Sequence, residues 1–169
     1  MTTETQINKT MRTLYIIWLA LMFSLVGYLV IGYAFPENAN PTPMAPEMFQ
    51  TLKMVVYGLA FFAAIAAGFL RKLVLSGKII KVKTNNPSVD PILSRYSTGI
   101  ILALALLETG GVYGFVLYIA GRDIRDLLLL TAFSAAAQLY YKPSRNELMA
   151  LIQKHNAESF ENQPQIYRR

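Results

Sequence analysis

The stretch Leu14 to Phe35 runs for 22 residues without a charged side chain. At about 1.5 Å per helical residue it is long enough to cross a hydrocarbon layer of ~30 Å. Within such a layer backbone N–H and C=O groups must pair with one another, so an apolar run of this length is helical if it spans. Three more apolar blocks follow: Met54 to Leu70, Ser97 to Ala120, and a shorter one from Ile124 to Tyr141 with Arg125 and Asp126 at its outer end. The chain is 54% hydrophobic and 15% charged, and its apolar residues are gathered into these blocks, as in an integral membrane protein. The expected fold is all-α: a four-helix transmembrane bundle over residues 1–142, with spans near 14–35, 54–70, 97–120 and 124–141. Lys9 and Arg12 precede the first block as they would in a signal peptide. The apolar core is too long for one, and Tyr33-Ala34-Phe35-Pro36 offers no small-x-small cleavage site, so the block reads as an uncleaved anchor.

Charge sets the expected threading. Thirteen of the 16 Lys and Arg residues lie before the first block, between the second and third, or after the fourth. Only Lys53, Arg122 and Arg125 fall on the other side, where Glu37, Glu47, Asp123 and Asp126 offset them. The positive-inside rule then places both termini in the cytoplasm. Tyr15, Trp18, Tyr96, Tyr140 and Tyr141 mark the inner interface, and Tyr33, Phe35, Tyr57 and Tyr118 the outer one. With topological markers of this kind and no targeting peptide, a bacterial inner membrane is the expected location. The net charge of +6 is accounted for by these markers and by anionic lipid head groups, not by nucleic acid.

Pro36, Pro41, Pro43 and Pro46, with Asn38 and Asn40, predict an extended outer loop. The inner connection, Ser76 to Ser94, is polar and basic; Ile80 and Val82 could form a short extended piece or continue the second helix. Gly121 is placed to end the third helix in a left-handed conformation, and Asp123 or Asp126 to cap the fourth. Pro143, Ser144 and Glu147 read as a capping box opening an amphipathic helix over 143–156. Leu148, Met149, Leu151 and Ile152 form its apolar side, expected to lie on the membrane surface or on a partner. The tail 157–169 is polar and expected to be mobile.

Ala60, Ala64 and Gly68 recur every four residues in the second span and flatten one face for close helix packing. Gly110 and Gly114 do the same in the third, with Gly99 and Ala103 on a further line. Among these small residues stands Glu108, the only charged side chain between Arg95 and Arg122. A charge at the centre of a bilayer is costly, so an acid there is neutral, paired, or part of an ion or proton path. Ser24, Thr131 and Ser134 fall at similar depth, and Thr131, Ser134 and Gln138 share a face of the fourth span. Glu108, Ser134, Thr131 and Ser24 are therefore the candidate ion- or proton-binding residues, with a hydrogen bond from a protonated Glu108 to Ser134 or Thr131 as the structural alternative.

No catalytic residue and no metal or cofactor site is indicated. The chain has no cysteine and a single histidine, His155, and it lacks a Walker A loop, an HExxH helix, a GxSxG elbow and paired intramembrane carboxylates. The segment Leu106-Leu107-Glu108-Thr109-Gly110-Gly111-Val112-Tyr113-Gly114-Phe115-Val116 resembles the carboxylate-bearing helix of the proteolipid (c) subunits of rotary ATP synthases and vacuolar ATPases. The likeness includes the layout of a small-residue span, a polar inner loop with Asn86-Pro87-Ser88, and a Glu-bearing span. It implies that Glu108 is a proton- or sodium-binding carboxylate. The expected function is that of a non-enzymatic subunit or accessory of a membrane complex, associating with other membrane subunits or with itself; the alternative is a proton- or cation-translocating protein built on Glu108.

Overall fold

Five helices make up the described part of the chain, α1 Glu4–Ala34, α2 Pro46–Ser76, α3 Pro91–Gly121, α4 Ile124–Tyr140 and α5 Arg145–Glu161. The computed structural model describes residues 4–34, 44–76 and 90–161, and among these all regular structure is helical. The first three helices, each of 31 residues, have the length and apolar composition to cross a membrane. Each is about 46 Å long, so it overhangs a ~30 Å hydrocarbon layer. Helix α4, at 17 residues, falls short of the same measure. Three candidate spans are thus visible where the sequence leads one to expect four. The reason is length, since the turn at Arg122 and Asp123 and the end at Tyr141 leave α4 only 17 residues.

The helices run past the apolar blocks because polar flanks carry them on. In α1, Ile7, Met11 and Leu14 are buried at a spacing that keeps them on one face, so the polar lead-in is helical well before the first apolar block. Pro46 opens α2 at a position where a missing N–H is harmless. Pro36, Pro41 and Pro43 lie outside the described residues, as do Ile80 and Val82, while α2 itself continues through Ser76. Asp90 caps α3 by accepting a 2.9 Å hydrogen bond from the Ile92 backbone N–H.

At the far end of α3 the left-handed residue is Arg122, with φ 58°, and not Gly121. The Arg122 N–H donates to the Tyr118 carbonyl at 2.8 Å. Gly121 instead makes room for a neighbour, because the ring of Phe49 from the start of α2 occupies the space a side chain would fill. Asp123 caps α4 by accepting from the Arg125 N–H at 2.9 Å, whereas Asp126 turns inward toward α2.

Helix α3 packs against all four others and has more buried residues than any other helix. Its C-terminal half joins Val56 and Ala60 of α2 and Leu130 of α4 around Leu117. Its middle brings Ala103 and Leu107 against Ala67. Its N-terminal half meets Ile7, Met11 and Leu14 of α1 and Leu148 of α5 around Leu93, Tyr96, Ile100 and Leu104. That last cluster corrects the placement expected for α5. Leu148 is fully buried, with Leu151 and Ile152 packed beside it, because the overhanging ends of α1 and α3 supply an apolar surface of their own; only Met149 of the four is exposed. The helix continues to Glu161, beyond the expected boundary at 156, and residues 162–169 of the tail lie outside the described residues.

Candidate functional site

Glu108 sits midway along α3, half-buried, on the flank that faces α1. Its Oε1 accepts a hydrogen bond from the Ser24 hydroxyl, and the Tyr28 hydroxyl stands 3.5 Å from the same oxygen. Ser24 and Tyr28 are four residues apart on one face of α1, the spacing that points two side chains at a common spot. Gly111 lets this happen: where a Cβ would stand, Leu25 and the Tyr28 ring come in, and Tyr28 stacks on Phe115 at 6.0 Å between ring centres. Of the residues expected at the site, the structure joins Ser24 to Glu108 and adds Tyr28, which is absent from the residues expected there. Its i, i+4 relation to Ser24 is the signal that could have found it.

Thr131 and Ser134 are not part of this site. They are buried on α4 where it meets a different flank of α3, and neither hydroxyl has a hydrogen-bond partner among the described residues. The Ser134 hydroxyl occupies the space beside Gly110, two residues beyond Glu108, and a two-residue step turns the helix by about 200°. A common depth along the bundle suggests contact, but depth does not specify azimuth. Gln138, also fully buried, has a side chain without a partner among the described residues, while its carbonyl accepts from the Trp18 indole at 3.1 Å.

The small residues mark where helices approach. Ala60 lies in the cluster with Leu117 and Leu130, and Ala64 packs beside Ala67, Ala103 and Leu107. Gly68 receives the hydroxyl end of Tyr141. A Cβ at Gly114 would lie 3.1 Å from the Leu130 Cβ and 3.2 Å from the Leu127 Cα, so α3 and α4 are in near-backbone contact there.

Two polar clasps hold the ends of the bundle. At one end Asp126, 1% exposed, accepts from the Tyr57 hydroxyl at 2.8 Å and pairs with Lys53 at 2.7 Å, tying α4 to α2. At the other, Glu147 of α5 pairs with Arg71 of α2 at 2.5 Å. There Tyr96 of α3 accepts from the Ser144 N–H at 2.9 Å and donates to the Ser144 carbonyl. This replaces the expected capping box, because the Ser144 N–H that Glu147 would have capped is taken by Tyr96. Among the described residues no three His, Cys, Asp or Glu side chains stand close enough to share a metal ion. Against protein-family models, curated proteins and solved structures, no match is found.

Proposed function

We propose that this is a non-enzymatic membrane protein of four spans with both termini inside, working as a subunit or accessory of a larger membrane assembly. In it Glu108 is a neutral acid that fastens α1 to α3. The fourth span is α4, antiparallel to α3 after the tight turn at Arg122, its charged first turn at the outer interface beside Lys53. The inner membrane of a bacterium suits the distribution of Lys and Arg.

The observation that carries the Glu108 reading is the pair of contacts at Ser24. Its single hydroxyl proton faces both the Leu21 carbonyl, 2.8 Å away, and Glu108. If Glu108 is protonated, it donates to Ser24, Ser24 donates to Leu21, and each donor is used. If Glu108 is ionised, Ser24 must leave Leu21 and only Tyr28 at 3.5 Å remains as a second donor. The neutral form is the better satisfied in an apolar surrounding. A second reading, proton or cation translocation, draws on the half-buried position of Glu108 and on the proteolipid resemblance of its helix.

The two readings separate on Glu108→Gln. Glutamine preserves a donor toward Ser24, so the structural reading expects unchanged expression, a melting temperature within a few degrees of the parent, and labelling of the parent by a hydrophobic carbodiimide that neither changes with pH nor is blocked by a cation. Labelling that titrates with pH and is blocked by a cation, with proton or cation flux in liposomes lost in Glu108→Gln, would replace it with the translocation reading.

A further inference from the structure

Where α2 ends, α3 begins and α5 crosses them, the structure has a cleft lined by Leu75, Ser76, Ile92, Arg95, Lys154 and His155. Its walls combine cationic groups with apolar ones, and the Nε of Arg95 is buried there without a hydrogen-bond partner among the described residues. Among the described residues the nearby acids are already engaged, Asp90 in capping α3 and Glu147 in pairing with Arg71. A cationic group in such a setting is best answered by an anion from outside the chain, and Arg is the side chain best suited to a phosphate.

The cleft also opens onto a particular surface. Phe62, Ile65, Phe69, Lys72 and Ser76 follow one another at steps of three and four along a single line of α2. Phe62, Ile65 and Phe69 are 67%, 56% and 62% exposed, which in a membrane means facing acyl chains. Lys72 is exposed above them and Ser76 stands at the cleft mouth. The strip ends at the level where head groups begin, given that α2 is a membrane-spanning helix.

We propose that this cleft holds the head-group phosphate of an anionic glycerophospholipid, with Arg95 and Lys154 as its cationic contacts and the acyl chains laid along the Phe62, Ile65 and Phe69 strip. The polar end fixes the charge of the lipid and the apolar strip requires that the phosphate come with a tail. The site depends on the membrane placement of α2 and α3, and is independent of the role given to Glu108.

The test is native mass spectrometry of the full chain released from detergent containing equimolar phosphatidylglycerol and phosphatidylcholine. One retained phosphatidylglycerol is expected, preferred over phosphatidylcholine by about tenfold or more, the effect of roughly two cationic contacts. Arg95→Gln and Lys154→Gln should each reduce retention about fivefold, whereas Lys9→Gln, which removes an inner charge elsewhere, and Glu108→Gln should leave it within about twofold. Lys154 is exposed, so its variant keeps the test valid if Arg95→Gln does not fold. Equal retention of the two lipids, an equal loss in Lys9→Gln, or displacement of the lipid by millimolar inorganic phosphate would each overturn the proposal, the last by showing a free-anion site.

Discussion

The acids Glu108, Asp126 and Glu147 each bond to a side chain on a different helix. Asp126 is almost wholly buried, yet its partner Lys53 is 39% exposed, so the pair is only partly withdrawn from solvent. Removing the carboxylate strands a Lys and a Tyr hydroxyl near the interface. Asp126→Ala should therefore lower stability by about 2 kcal/mol, and Tyr57→Phe by about 1 kcal/mol, in equilibrium unfolding in mixed micelles. At the Glu108 site Ser24→Ala removes the acid's close partner and should cost about 1 kcal/mol. Tyr28→Phe, losing a hydroxyl at 3.5 Å, should cost about half of that or less. A larger loss for Tyr28→Phe than for Ser24→Ala would contradict the order of the two contacts. That Glu108 is alone in its block is legible in the sequence; which hydroxyl it meets, and that Asp126 turns from a capping position toward Tyr57 and Lys53, is not.

At the level of helices, glycines report how near two backbones come. A Cβ at Gly114 would press on Leu130 and on the Leu127 backbone, which cannot swing aside, so Gly114→Ala should destabilise by about 1–3 kcal/mol. Gly58 has nothing within 4 Å of the same position. Gly58→Ala should leave stability unchanged or raise it by up to about 1 kcal/mol, through helix propensity. The two variants, measured side by side, test whether α4 lies against α3 along this line. For α5 the relevant side chain is Leu148, at 0% exposure between α1 and α3. Leu148→Ala should cost about 2–4 kcal/mol and make α5 the first segment cut by a protease, seen as early loss of the C-terminal fragment. An α5 resting on the membrane surface would show neither effect.

For the molecule as a whole, the decisive question is how many times the chain crosses. With no cysteine in the sequence, single cysteines can be introduced one at a time. In intact cells of a bacterial host, Arg125→Cys should react with a membrane-impermeant maleimide, and Lys9→Cys and Asn156→Cys should react only after lysis. Labelling of Asn156→Cys from outside would mean that α4 turns back without crossing, leaving three spans. Only the four-span result fits the packing described, because α5 lies against the starts of α1 and α3 and pairs with Arg71, at the end of the bundle that carries Lys9.

That the chain is helical and suited to a membrane follows from its residues alone, because an uncharged run such as Leu14 to Phe35 leaves the backbone no other means of pairing its polar groups. The order of the helices follows in the same way, but their ends do not, since α1 and α2 run well past the apolar blocks on polar flanks. Rotation and partnership belong to the assembled bundle. Glu108 met Ser24 and Tyr28 and not Ser134, Glu147 met Arg71 and not the Ser144 N–H, and Leu148 joined the buried cluster of α1 and α3. Rotation about a helix axis is fixed by how ridges and small residues of two helices fit together, a property of pairs that no single apolar block contains.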